Sequence, residues 1–75
     1  MGRTTQRAMV LQYMKEFGSI TRMDAAVDIG CMELSSRIGE LEKKEGWRIN
    51  HKRESGRNRF GDPTHWTRYS IKEEP

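Results

Sequence analysis

Between Trp47 and Lys72 the chain carries seven Lys or Arg residues against two Asp or Glu, a balance of +5, whereas Met1 to Gly46 holds seven of each sign. The whole positive excess of this +3 chain therefore lies in its last third. Cationic side chains concentrated in this way bind polyanions by releasing condensed counterions, which requires charge but no particular base sequence. Five of the seven, Lys52, Arg53, Arg57, Arg59 and Arg68, cluster with Asn58, Phe60 and Trp66. An arginine at the tip of such a segment can also enter a minor groove. The competing reading is a solvated loop whose arginines only keep the protein soluble. Trp66 can stack on a sugar or base, or cover the outer side of a neighbouring strand.

A second group suited to nucleic acid is Ser35, Ser36, Arg37 and Lys43. Small hydroxyls bond phosphate or base edges, Gly39 allows close approach, and the two cations reach anions. Arg37 has an equally good structural role, pairing with Asp24 or Asp28. Glu33 and Glu40 oppose groove insertion, because a carboxylate near phosphate is repelled unless it accepts from a cytosine amino group.

Other chemistries find little support. His51, His65 and Cys31 are too few and too scattered for a metal site, even if the histidines face each other across paired strands. Cys31 precedes a helix start that can lower a thiol pKa, but a small core filler is the simpler role. There is no glycine-rich phosphate loop, no nucleophile elbow and no carboxylate pair in an apolar setting, so neither catalysis nor a cofactor is expected. A single cysteine allows no internal disulfide, which suits a reducing compartment, and no apolar run reaches membrane-spanning length.

Seventy-five residues, one third of them apolar and one third charged, suffice for a single domain spanning 1–75, with 1–4 and 72–75 expected as flexible tails. Thr4 or Thr5 can cap a first helix that runs to Phe17, with Val10, Met14 and Phe17 on one face and Leu11 and Tyr13 beside them; Gly18 stops it. Ile20 begins a minimal strand. Thr21 and Asp24 have the spacing of a capping box for a short second helix, Arg22 to Ile29, with Ala25, Ala26 and Ile29 inward and Gly30 at its end. The third helix begins near Met32 or Glu33 and runs to Lys44 or Glu45, with Leu34, Ile38 and Leu41 as its buried stripe and Gly46 as its stop. Alternation then replaces the helical period. Trp47 and Ile49 oppose Arg48, Asn50 and Lys52, and Thr67, Tyr69 and Ile71 oppose Trp66, Arg68 and Ser70. Two strands of about six residues joined by a polar loop, Arg53 to Pro63, complete an α+β winged helix: a three-helix helix-turn-helix core with a C-terminal β-hairpin wing.

The runs Gly18-Ser19-Ile20-Thr21, Asp28-Ile29-Gly30, Leu34-Ser35-Ser36-Arg37-Ile38 and Gly46-Trp47, with Ala25 and Leu41 between, resemble small winged helix-turn-helix proteins of bacteriophages and prophages. So do Asn58-Arg59-Phe60-Gly61 in the wing and Arg68-Tyr69 in the closing strand. The similarity spans Thr5 to Ile71. It implies a DNA-binding protein in the cytoplasm of a bacterial host, a transcriptional regulator or architectural factor. Ser35, Ser36 and Arg37 would then lie on the recognition helix, and Arg57, Asn58 and Arg59 in the wing. The chain departs from the pattern at Glu33, where a basic or neutral residue is usual. With Glu40 and Glu42, this leaves Glu33 to Lys44 with three charges of each sign.

The expected partner is double-stranded DNA, bound by a homodimer or by several copies, since one module this small binds weakly. The alternatives are a host or phage protein, as for an inhibitor of a host nucleic-acid enzyme with Leu11 and Trp66 exposed, and RNA gripped by the same strands.

Overall fold

A computed structural model describes residues 5–75. The element order is α1 (Gln6–Phe17), β1 (Ile20–Thr21), α2 (Arg22–Asp24) running directly into a π-helical turn (Ala25–Ile29), α3 (Leu34–Lys44), β2 (Arg48–Arg57) and β3 (Pro63–Glu73). The three strands form one antiparallel sheet in the order β1-β3-β2. This is the winged-helix arrangement anticipated from the sequence.

Local signals set the helix boundaries. The Thr5 hydroxyl accepts from the Ala8 amide, capping α1; Thr4 lies outside the described residues, as does the expected tail at 1–4. Thr21 and Asp24 form a reciprocal capping box: the Asp24 amide donates to Thr21 Oγ1 at 3.2 Å, and the Thr21 amide donates to Asp24 Oδ2 at 3.0 Å. Gly30 (φ 78°) ends the π-helical turn, and the amides of Gly30 and Cys31 both donate to the Ala25 carbonyl. These are the positions where a left-handed glycine lets the chain reverse and satisfy a terminal carbonyl.

The core is small. Val10 and Met14 from α1, Ile20, Ala25, Cys31, the α3 stripe Leu34, Ile38 and Leu41, and Ile49 from β2 are buried together. Replacing a residue such as Leu41 by alanine in a core of this kind costs about 2–5 kcal/mol, a large part of the stability of so short a chain. Cys31 is fully buried, in the core-filling role.

The structure revises four expectations. Phe17 is 67% exposed instead of buried. It ends α1, lies 4.6 Å from the Tyr13 ring between centroids, and leaves the core position to Ile20 of the next element. The strands have ten and eleven residues, and the connection shrinks from Arg53–Pro63 to the five residues 58–62. β3 continues through Glu73 and pairs Arg48 with it, so Lys72 and Glu73 belong to the strand and not to a tail. Finally, His51 lies opposite Tyr69 and His65 opposite Ser55, so the two histidines are not partners. The last three follow from the length and register of the hairpin, which exceed what its polar composition suggests.

Strand alternation divides the sheet into two faces. Ile49 and Ile71, His51 and Tyr69, Arg53 and Thr67, and Ser55 and His65 pair on one face, whose inner end, Ile49, Tyr69 and Ile71, packs on the core. Asn50 and Ser70, Lys52 and Arg68, Glu54 and Trp66, and Gly56 and Thr64 pair on the other. β1 pairs with β3 only at Tyr69 and Arg68, so the hairpin beyond those positions extends past the helical body.

Candidate nucleic-acid interface

The buried stripe of α3 fixes which of its residues reach solvent. With Leu34, Ile38 and Leu41 inward, Ser35 and Ser36 are exposed at its first turn and Lys43 near its last. Glu33 precedes the helix and makes no side-chain capping bond. Its exposed carboxylate sits where the helix dipole attracts anions, and it competes with phosphate there. Ser35 and Ser36, with Arg22, Met32, His65, Trp66 and Thr67, line an open groove of about 440 Å³ between the start of α3 and β3.

Arg37 is engaged internally. Its Nε lies 3.2 Å from Glu40 Oε1, within ion-pair range but without a directed hydrogen bond. Glu40 also faces Arg7 at 4.0 Å, and Arg7 pairs with Glu45 at 2.7 Å, so these two acids, one in α3 and one at its C-cap, are tied to α1. Neither acid anticipated for Arg37 serves: Asp24 caps α2, and Asp28 accepts from the Tyr13 hydroxyl at 2.7 Å. That bond is the main cause of the Tyr13 phenol being pushed up to about 12. On the wing side of α3, Glu42 lies 3.1 Å from His51, whose ring meets Tyr69 edge-on.

The wing residues divide into two sets. Lys52, Arg53 and Arg59 are exposed, and among the described residues no ion pair reaches them. Arg57 is exposed too, and donates to the Gly61 carbonyl at 2.8 Å, which bends it along the tip while its charge stays in solvent. Asn58 builds the tip itself, its Oδ1 accepting from the Phe60 and Asp62 amides at 2.9 and 3.1 Å.

Arg68 belongs to a clamp. Its Nε donates to Glu54 Oε1 at 2.8 Å, its Nη1 donates to Ser19 Oγ at 3.0 Å, and Trp66 Nε1 donates to the same Glu54 oxygen at 2.7 Å. The Arg68 guanidinium, then the Trp66 indole, hold the Glu54 carboxyl below the usual carboxylate range. The Trp66 ring lies over Gly56, where a Cβ would come within 3.0 Å of it. An isolated two-stranded hairpin is marginal in water. Here an indole, a carboxylate and a guanidinium brace it on its outer face, and Trp66 takes the packing role.

Sequence reasoning missed Glu54. It is the single acid between Arg48 and Gly61, and a hairpin register with a five-residue tip would have set it opposite Trp66 and beside Arg68. It also missed Arg22 and His65, which reach the α3 groove only because β3 runs past the start of that helix. Leu11, considered as an exposed contact, is half-buried against the core; the large exposed apolar residues of the helical body are instead Phe17, Met23, Val27 and Met32.

A family model described as a winged helix-turn-helix domain matches residues 5–74. No curated protein and no solved structure matches the chain.

Proposed function

The chain belongs to the winged helix-turn-helix family of DNA-binding domains, and on that premise we propose that it is a small phage-type regulator or architectural protein whose wing supplies most of its affinity for duplex DNA. In this reading Lys52, Arg53, Arg57 and Arg59 meet phosphate or the minor groove, while Ser35 and Ser36 present hydroxyls to the major groove with Lys43 on flanking phosphate. Arg37, Asn58 and Arg68 support these contacts by holding α3, the tip and the wing base. The observation that carries the reading is the set of exposed wing cations that meet no acid among the described residues, against an α3 that holds, with Glu33 at its cap, three charges of each sign. A homodimer or several copies on one site would supply the affinity a single module lacks.

Titration of a random duplex at roughly 50 and 200 mM salt tests this directly, because phosphate-driven affinity falls steeply over that range. Absence of binding at the lower salt would defeat the proposal.

A second reading, a protein-interaction module such as an inhibitor of a host nucleic-acid enzyme, draws on one observation. Met23 and Met32 are 70% and 69% exposed and line, with Ala26 and Trp66, a shallow apolar groove beside the wing. A stoichiometric protein partner that survives nuclease treatment and is lost on Met23→Ser would favour it.

A further inference from the structure

The wing tip carries one side chain that phosphate binding does not explain. Phe60 is 84% exposed, the most exposed large apolar residue described. Its chain neighbours at the tip, Asn58, Arg59, Gly61 and Asp62, are polar or bare, so the ring stands among groups that favour a polyanion over an apolar partner. What surrounds it is charge: Arg57 and Arg59 in the tip, with the Asp62 carboxylate as the one opposing group.

The tip is also built to hold its shape. The Asn58 amide donates to the Asp62 carbonyl at 2.9 Å and the Gly61 amide to the Asn58 carbonyl at 3.0 Å. Asn58 Oδ1 accepts from the Phe60 and Asp62 amides, and Arg57 donates to the Gly61 carbonyl. Gly61 at φ 81° completes the reversal. A backbone fixed beforehand loses little freedom on binding, so the exposed ring is presented at low entropic cost. Below it, the Glu54-Trp66-Arg68 clamp stiffens the hairpin.

The reach of the wing fits the spacing of DNA grooves. Six residue steps lead from His51, which meets Glu42 of α3, to Arg57 at the tip, about 20 Å of strand. Adjacent major and minor grooves are separated by half a helical repeat of about 34 Å, or about 17 Å. A wing of this length can therefore span from a helix in one groove to the next.

We propose that Phe60 is a wedge that enters the minor groove and partly unstacks a base step, kinking the duplex, while Arg57 and Arg59 hold the flanking phosphates. Flexible pyrimidine–purine steps would be preferred, because they unstack at least cost. The inference rests on the DNA-binding reading above and adds to it a deformation of the ligand.

The test uses the full chain and two 30-base-pair duplexes, one of alternating TA steps with 2-aminopurine replacing a central adenine, and one A-tract of the same length. Binding is followed by anisotropy, unstacking by 2-aminopurine fluorescence and kinking by energy transfer between end labels. The expected result is a fluorescence rise and shortened end-to-end distance on the TA duplex, both lost in Phe60→Ala and kept in Phe60→Leu. Affinity for the TA duplex should fall on the order of tenfold in Phe60→Ala, the scale of one lost base–aromatic contact, with the salt slope unchanged. Arg59→Ala should do the reverse, lowering the slope by about one while keeping the fluorescence rise. Binding without unstacking, or unstacking that persists in Phe60→Ala, would overturn the wedge and leave DNA binding intact. No binding of either duplex would overturn both.

Discussion

α3 and the wing hold similar residues to different ends. In α3 the cation nearest the exposed serines, Arg37, is spent on Glu40, and Glu42 faces His51 across to the sheet. In the wing, one arginine of the basic set is spent, Arg68 on Glu54, and the others point to solvent. Ion pairs of this exposure contribute little to stability, so their main effect is on which charges remain available. The helix together with its cap residue Glu33 ends up neutral and close to its frame, suited to short-range contacts that depend on position. The wing ends up cationic and extended, suited to long-range attraction that depends on salt. On the proposed reading, affinity and selectivity would fall to separate elements of one small fold.

The substitution that tests this division most severely is Arg53→Ala, Arg57→Ala and Arg59→Ala together. We expect the salt slope for random duplex to fall by up to about three and affinity near 0.1 M salt to fall on the order of a hundredfold; unchanged affinity would transfer the binding role to the helical body. Ser35→Ala with Ser36→Ala should act in the opposite sense. Binding to random duplex and its salt slope should hold, while preference among sequences, measured by selection from a randomised pool, should weaken by on the order of tenfold if the helix reads base edges.

Glu54→Gln would sharpen the contrast from the other side. Removing the carboxylate charge releases Arg68 and deletes a repulsion toward phosphate, so duplex affinity should rise severalfold with a slope steeper by up to about one. Acid titration of the same group has a defined sign. Its folded pKa lies below the ordinary 4.5, so the stability it contributes is present above that value and is lost as pH falls through the lowered one. Trp66 emission should therefore change with a midpoint below pH 4.5, and this transition should vanish in Glu54→Gln.

The smallest effect on DNA binding is expected at Tyr13, which joins α1 to the second helix through Asp28 and touches neither surface. Its phenol is pushed up from 10 to about 12, so the stability from this bond is full below pH 10 and is lost as pH rises through about 12. An ultraviolet titration should show a phenol ionising near pH 12 that disappears in Tyr13→Phe, with duplex affinity at neutral pH unchanged. A large loss of affinity would mean that the frame, and not the two surfaces, limits binding.

Much of the frame was legible in the sequence. The capping box at Thr21 and Asp24, the stops at Gly18, Gly30 and Gly46, and the stripe Leu34, Ile38 and Leu41 are local devices, each acting within one or two turns of chain. Phe17 was misplaced because helical period cannot tell whether the next element, here Ile20, will take the core position first. The hairpin was drawn too short because Arg53, Glu54, Ser55 and Gly56 alternate without an apolar face. What pairs them is the register set at Ile49 and Ile71 and carried outward. Of the candidate site, the positive stretch was visible as composition, but its division into free and spent cations was not.

The sequence by itself determined the winged helix, the location of the positive excess and the small polar start of α3, because periodicity, capping and charge are properties of neighbouring residues. Tertiary structure alone decided that Arg37 and Arg68 are occupied, that Trp66 braces the hairpin over Gly56, and that Phe60 stands exposed at a hydrogen-bonded tip. Each of these depends on residues brought together by strand register or helix packing, and register is fixed by the core as a whole and not by the segment that displays it.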